Sequence, residues 1–405
     1  MKKTSKCVVS ILMFTVVVLG VTTFFSLNRF IKPVAWQIIY GYSANISGEN
    51  VGVNDKIRSV LLSIENIFSD TEQKYTYVTI NGLFNKIINK STIDDAEDEF
   101  DVIKLSNGHL TFTVKSPMEK SYADSVARLD KFVSANGGEL VYIQAPGKIS
   151  RYESLLPPGI NDFSNKNADL FLRELDEYNV ATLDLRQEMH NQGLDQYDYF
   201  FKTDLHWTPQ AGFWAFQNIS KKLSNEYGFT LDTKSMVLDN YNVKIHEDVF
   251  LGTMGRRVGK IYAGIDDFAE ITPAFKTELT LSSPKLNINT HGTFEDVLLN
   301  YSQLEIDDMF NSYPYGFYTK NHDDITILKN NMSPNNKKIL FVHDSFSAVV
   351  SPFLILNCSE LHLIDLRGFE VDQLAKYINT MKPDVVLLMY YTGMVDQSEM
   401  YRFGL

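Results

Sequence analysis

Two short stretches, far apart in the chain, hold the residue types that acyl transfer needs. Lys202-Thr-Asp-Leu-His-Trp-Thr-Pro209 places an acid, Asp204, two residues before an imidazole, His206. If that stretch is extended, side chains at i and i+2 point the same way, so acid and imidazole face one space. In Phe341-Val-His-Asp-Ser-Phe346, an apolar strand breaks into a turn carrying Ser345, with a helix-like run behind it. A nucleophilic serine is commonly presented in this way, at a strand's carboxyl end and under the amino end of a helix whose free N–H groups can hold an oxyanion. A serine hydroxyl is inert at neutral pH without an adjacent base, and that base needs a partner to fix its tautomer. The roles follow: Ser345 as nucleophile, His206 as base and then acid, Asp204 as the group that orients the imidazole and stabilises its charged form. The Ser345 N–H is the natural first oxyanion donor. Tyr390 or Tyr391 is a candidate for the second, with Arg256 and Arg257 as further candidates, although the tyrosines read equally as a cleft wall. Lys148, on a loop after a strand, reads either as a substrate contact or as a surface lysine. Trp207 stands at the mouth of the junction between the loop and the next helix.

Those residues need a frame, and the chain from residue 116 onward supplies alternating helices and strands. Tyr122 to Asn136 reads as a helix closed by Gly137-Gly138, followed by a buried strand, Glu139 to Gln144. A helix over Asn167 to Tyr178 and a strand over Val180 to Leu185 come next. Thr208 is a good N-cap and Pro209 suits the first helical position, so a helix runs from there to about Tyr227 and ends at Gly228. Residues 229–335 break the alternation and read as one long insertion of short strands and loops, with a Gly/Arg loop at 252–260 and an aromatic cluster at Tyr313, Tyr315, Phe317 and Tyr318. The pattern resumes with strands at 339–342, 361–366 and 385–389 and a helix at 371–380. Near-continuous apolar strands alternating with helices imply an α/β fold with a doubly wound, mostly parallel sheet of flavodoxin-like layering. Ligands of such sheets bind beyond the carboxyl ends of the strands, where Asp204, His206 and Ser345 can converge. Ahead of this frame, 76–115 reads as short strands and turns, including Tyr77 to Ile80 before Asn81-Gly82 and His109 to Val114 after Asn107-Gly108.

Both motifs also resemble a known family. Asp204-Leu-His206-Trp207 is similar to the Asp-x-His-Trp signature of the DHHW proteins and the AlgX/AlgJ-type O-acetyltransferases, and Asp344-Ser345-Phe346-Ser347 to their Asp-Ser-Phe block. The Gly252 to Gly259 run is a weaker third match. The resemblance covers roughly residues 75 to 405 and implies an SGNH-hydrolase-like domain that moves or removes acetyl groups on exported polysaccharides. It departs from the SGNH pattern at His343, where glycine is common before the Asp-Ser pair. The order Asp, His, Ser is like the permuted arrangement of the AlgX/AlgJ relatives. A multi-spanning membrane acyltransferase that delivers the acetyl group is a partner implied by the family alone.

Composition narrows the alternatives. The 405 residues carry a net charge of −12, which argues against general nucleic-acid binding and fits poorly with gripping a strongly anionic polymer. Cys7 and Cys358 suggest neither a disulfide framework nor zinc spacing, and no metal or cofactor is implied. Residues 7–27 are uncharged and apolar, about the 20 positions a helix needs to cross a bilayer, and Lys2, Lys3 and Lys6 precede them. The expected layout is a cytoplasmic tip at 1–6, a transmembrane anchor at 7–27, a stalk at 28–75 and an extracytoplasmic domain at 76–405, with the insertion at about 229–335. A cleaved signal peptide is the competing reading of 7–27, and both export the rest of the chain from what the Lys, Asn and Ile usage suggests is a bacterial cell. The leading function is an acyl-ester enzyme, an O-acetyltransferase or acetylesterase acting on a cell-surface polysaccharide. The alternative is a noncatalytic polysaccharide-binding or envelope-assembly protein that keeps the fold, with the 313–318 aromatics stacking on sugar rings.

Overall fold

The computed structural model describes residues 72–94, 100–306, 308–320 and 322–405. The expected anchor at 7–27 and residues 28–71 of the expected stalk lie outside the described residues. Among the described residues no helix is long and apolar enough to cross a membrane. Two compact units divide the chain, Met1–Tyr77 and Val78–Leu405, and the second holds the sheet.

The strands in chain order are β1 (Thr92–Ile93), β2 (Val102–Lys104), β3 (Leu110–Thr111), β4 (Glu139–Ala145), β5 (Ala181–Asp184), β6 (Tyr241–Phe250), β7 (Asp266–Pro273), β8 (Leu279–Ser283), β9 (Ile288–Gly292), β10 (Ile325–Asn330), β11 (Lys338–His343), β12 (Glu360–Ile364) and β13 (Val385–Tyr391). Eight of them form one sheet in the order β5-β4-β13-β11-β12-β10-β8-β9. The pairs from β5 to β12 are parallel, and β12/β10, β10/β8 and β8/β9 are antiparallel. The sheet is therefore mixed rather than mostly parallel. Its antiparallel edge comes from 229–335, so part of the expected insertion extends the sheet. β8 explains why the extension is hard to read: it fully buries only alternate residues, as a strand with one wetter face does.

Strict alternation sorts the central strands' side chains onto two cores. Val141 and Ile143 of β4, Ile339 and Phe341 of β11, and Val385, Leu387 and Met389 of β13 face one cluster, which includes the helix Pro209–Tyr227. Leu140 and Tyr142, Leu340 and Val342, and Val386, Leu388 and Tyr390 face the other, under the helices Ala123–Ala135, Ser164–Glu177 and Leu374–Met381. Burying each Leu, Ile or Val of this kind contributes roughly 1.5–3 kcal/mol before entropy is counted.

Two close contacts set the site's supports. Helix Pro209–Tyr227 starts as expected, with Thr208 Oγ accepting from Ala211 N and Pro209 in the first turn, and ends at Gly228 with φ 70°. At Gly212 an added Cβ would lie 2.1 Å from Val349 O, so glycine lets this helix press on the 3-10 turn Ser345–Val349. The expected strand at Tyr77–Ile80 is instead part of a helix, Glu72–Ile87, that runs straight through Asn81-Gly82. Gly82 serves packing rather than a turn, since a Cβ there would lie 2.1 Å from Val258 O.

Candidate active site

Asp204 and His206 meet through a tight local turn, not an extended strand. Asp204 Oδ1 accepts the backbone N–H of His206 at 3.0 Å and its Nδ1–H at 2.6 Å. A carboxylate that captures the N–H two residues on is the usual behaviour of Asp in a turn, and here it also fixes the ring. With Nδ1 protonated toward Asp204, Nε2 is left to accept, and it lies 2.7 Å from Ser345 Oγ. The second carboxylate oxygen accepts Thr253 N–H at 2.7 Å. That approach requires Gly252, where a Cβ would stand 2.2 Å from Asp204 Cβ. Burial alone would raise the Asp204 carboxyl. The charge of His206 and the hydrogen bonds from His206 and Thr253 outweigh it and hold the group well below the usual carboxylate range.

Ser345 follows β11 directly. Asp344 caps the turn, taking Phe346 N–H on Oδ1 at 2.9 Å and Tyr391 N–H on Oδ2 at 2.8 Å, which ties the turn to the end of β13. Burial pushes Asp344 up to about 6 against these two hydrogen bonds. Trp207 is fully buried, and its Nε1–H donates to Phe346 O at 2.9 Å, joining the two motifs through the residue after each functional one. Tyr315 stacks on the His206 ring at 4.1 Å between centroids.

The loop under Asp204 is held by two buried polar side chains. Asp266, at the start of β7, accepts Lys202 N–H and Thr203 N–H, each at 2.7 Å, and Thr203 Oγ–H at 2.6 Å. From the opposite element, Lys148 Nζ donates to the Asp204 carbonyl and, at 3.4 Å, to that of Lys202. Burial lowers Lys148 to about 7, with Asp266 and Asp204 opposing the shift. Burial likewise raises Asp266, and its hydrogen bonds to Thr203 and Lys202 oppose that.

The structure brings Ser345, His206, Asp204 and Trp207 together and moves other candidates away. Lys148 is buried and grips the loop's backbone from within, so it is not a surface lysine. Tyr390 points to the opposite core, where its hydroxyl donates to Met400 O at 2.8 Å; strand parity puts it there. Tyr391 faces the correct side, its ring flat against Phe346 at 4.7 Å, as a wall. Arg256 braces its loop through Leu251 O and Phe310 O, and Arg257 lies over the Phe112 ring at 5.0 Å. Of the clustered aromatics, Phe317 and Tyr318 are core residues. Only Tyr313 and Tyr315 reach the cleft of about 310 Å³ that opens at Ser345. Asp266, Tyr315 over His206 and Arg367 in the cleft escape a reading of the sequence, because each arrives from a distant element. Among the described residues no group of three His, Cys, Asp or Glu side chains is arranged to hold a metal ion.

An α/β sheet of this order, with an Asp-His pair and a serine turn converging beyond its parallel strands, is similar to the arrangement of SGNH-hydrolase-like domains. Residues 110–263 match the family described as an SGNH hydrolase-like domain, acetyltransferase AlgX, a span that includes Asp204 and His206. The resemblance drawn from the first motif therefore holds over that span, and Ser345 lies beyond it. Bacillus cereus PatB1 is similar in structure with a sulfonyl adduct (TM-score 0.62, 19% identity, 76% of this chain and 99% of that one) and without it (0.61, 19%, 75% and 100%). A DHHW family protein from Eubacterium siraeum is similar at a TM-score of 0.55 and 17% identity, over 76% of this chain and 97% of that one. At these identities the likeness is one of fold. No curated protein matches the chain.

Proposed function

We propose that this chain is an acyl-ester enzyme, an O-acetyltransferase acting on a cell-surface polysaccharide through an acetyl-Ser345 intermediate. The observation that carries the reading is the unbroken relay from Asp204 through His206 to Ser345 Oγ at the mouth of a cleft. In the first half-reaction Oγ attacks the acetyl carbonyl while Nε2 takes its proton, and Asp204 stabilises the imidazolium that forms. The Ser345 N–H, in a first turn whose N–H groups have no helical partner, is a donor for the developing oxyanion. Collapse expels the donor alcohol, which takes the proton from Nε2 and leaves the acetyl ester on Oγ. A sugar hydroxyl then gives its proton to Nε2 as it attacks that ester, and the second collapse returns the proton to Oγ. Tyr315 over the imidazole and the Phe346–Tyr391 stack shield the base from bulk water, which favours a sugar hydroxyl over hydrolysis. In this reading residues 7–27 anchor the chain with its bulk outside the cell, and a multi-spanning membrane acyltransferase supplies acetyl groups from within.

The test is turnover of an activated acetyl ester by wild type, Ser345→Ala and His206→Ala. Wild type is expected to release acid while both variants, folded by circular dichroism, stay near the blank, a loss on the order of 10³-fold or more. Equal rates for all three would remove the enzyme reading in favour of a carbohydrate-binding protein.

A further inference from the structure

The cleft at Ser345 carries charge information that the relay does not use. Its volume of about 310 Å³ is at the lower end for small-molecule sites and suits one sugar-sized group. Asp323, Asp324 and Asp365 line it, and Arg367 is the one cation among its lining residues. Arg367 is already committed to Asp365: Nε donates to Asp365 Oδ1 at 2.9 Å and Nη2 to Oδ2 at 2.6 Å, so this side of the guanidinium is taken and its charge is balanced within the pair. Asp324 is paired with Lys285 at 2.5 Å. Asp323 stays under-compensated, its Oδ1 3.8 Å from a largely exposed Lys285 and its Oδ2 buried without a hydrogen-bond partner.

The remaining polar groups add no positive charge. His322 and His343 both line the cleft. Burial lowers both, His322 to about 3, so they are neutral at physiological pH. His343 Nδ1–H donates to Asp344 O at 2.9 Å, which leaves its Nε2 an acceptor. His322 Nε2 and Tyr315 Oη are buried without partners. The cleft therefore sets one under-compensated carboxylate among neutral imidazole and phenol groups, an environment that suits sugar hydroxyls better than a further anion.

We propose that the acceptor is a neutral glycan, bound beside Ser345 through hydroxyls that donate to Asp323 and the neighbouring neutral groups, and that uronate polymers are rejected by like charge. This rests on the acetyltransferase reading of the same site and adds the substrate class. A uronate would bring a second carboxylate toward Asp323, and the nearby guanidinium is already balanced by Asp365, an arrangement that costs affinity.

Binding and turnover separate the two ideas. Full-length Ser345→Ala protein is titrated by calorimetry at low ionic strength with a neutral hexose oligosaccharide and with a uronate oligosaccharide of equal length. The neutral ligand is expected to bind about tenfold tighter or more. Asp365→Asn, which opens the Arg367 fork, is expected to narrow the gap by improving uronate binding, and Asp323→Asn by weakening the neutral ligand. Equal or tighter uronate binding, or binding of neither, would overturn the proposal whatever the esterase assay shows. Wild-type ester turnover no faster than Ser345→Ala would instead sink the enzyme reading and leave the binding result standing as evidence for a lectin-like cleft.

Discussion

Asp204 makes its contacts by two different routes, and they differ in how far sequence can show them. The bond to His206 is local, written in the spacing Asp-x-His. The bond from Thr253 N–H depends on a loop about fifty residues away that can approach only because position 252 has no side chain. Gly252 has φ −69°, which any residue adopts, so space and not backbone conformation selects glycine there. Gly252→Ala should displace either the loop or Asp204, at about 1–3 kcal/mol of stability. Turnover of the acetyl ester should fall at least tenfold, beyond what the melting shift explains; a variant that melts lower but turns over normally would mean that Thr253 N–H does not steer Asp204. Ser345, His206, Asp204 and Trp207 were legible as residues because their types and neighbours form motifs. Between Tyr390 and Tyr391 the sequence leaves the choice open, because on a strand buried on both faces hydrophobicity does not reveal parity; Tyr391 is the one on the site's side.

At the scale of elements, the site is a loop pinned between a carboxylate and a buried lysine. Asp266 holds the N–H groups of residues 202 and 203, and Lys148 the carbonyls of 202 and 204, so the turn cannot rotate without breaking both sets. The lysine leaves a signature in stability. Its pKa is depressed from 10.5 to about 7 in the folded chain. The unfolded chain therefore binds the extra proton between those values, and stability rises with pH across that window. The contribution is fully present above 10.5 and is lost as pH falls through 7. Thermal melts of wild type and Lys148→Met should diverge accordingly, wild type gaining on the variant from pH 7 to 10. Parallel curves would show that Lys148 titrates as an exposed amine. A lysine on a loop after a strand reads as solvent-facing, and its burial becomes visible only once the 202–206 turn and β7 are folded over it.

Across the whole molecule, the alternating apolar strands and helices announced the parallel half of the sheet, because strands buried on both faces are long apolar runs. The stretch at 229–335 was harder to interpret. Its polar, half-buried strands look like loops, yet β8, β9 and β10 widen the sheet, and the same stretch delivers Gly252, Thr253, Asp266 and Tyr315 to the site. What seemed an appendage is half of the active-site support. The central claim, that this assembly makes Ser345 a nucleophile, is tested most directly by covalent trapping. Wild type and His206→Ala are treated with a sulfonyl fluoride and digested, and the modified residue is located by mass spectrometry. A single label on Ser345 is expected in wild type, with its near-complete loss in His206→Ala. Label scattered over other hydroxyls, or labelling of Ser345 that is indifferent to His206, would contradict it.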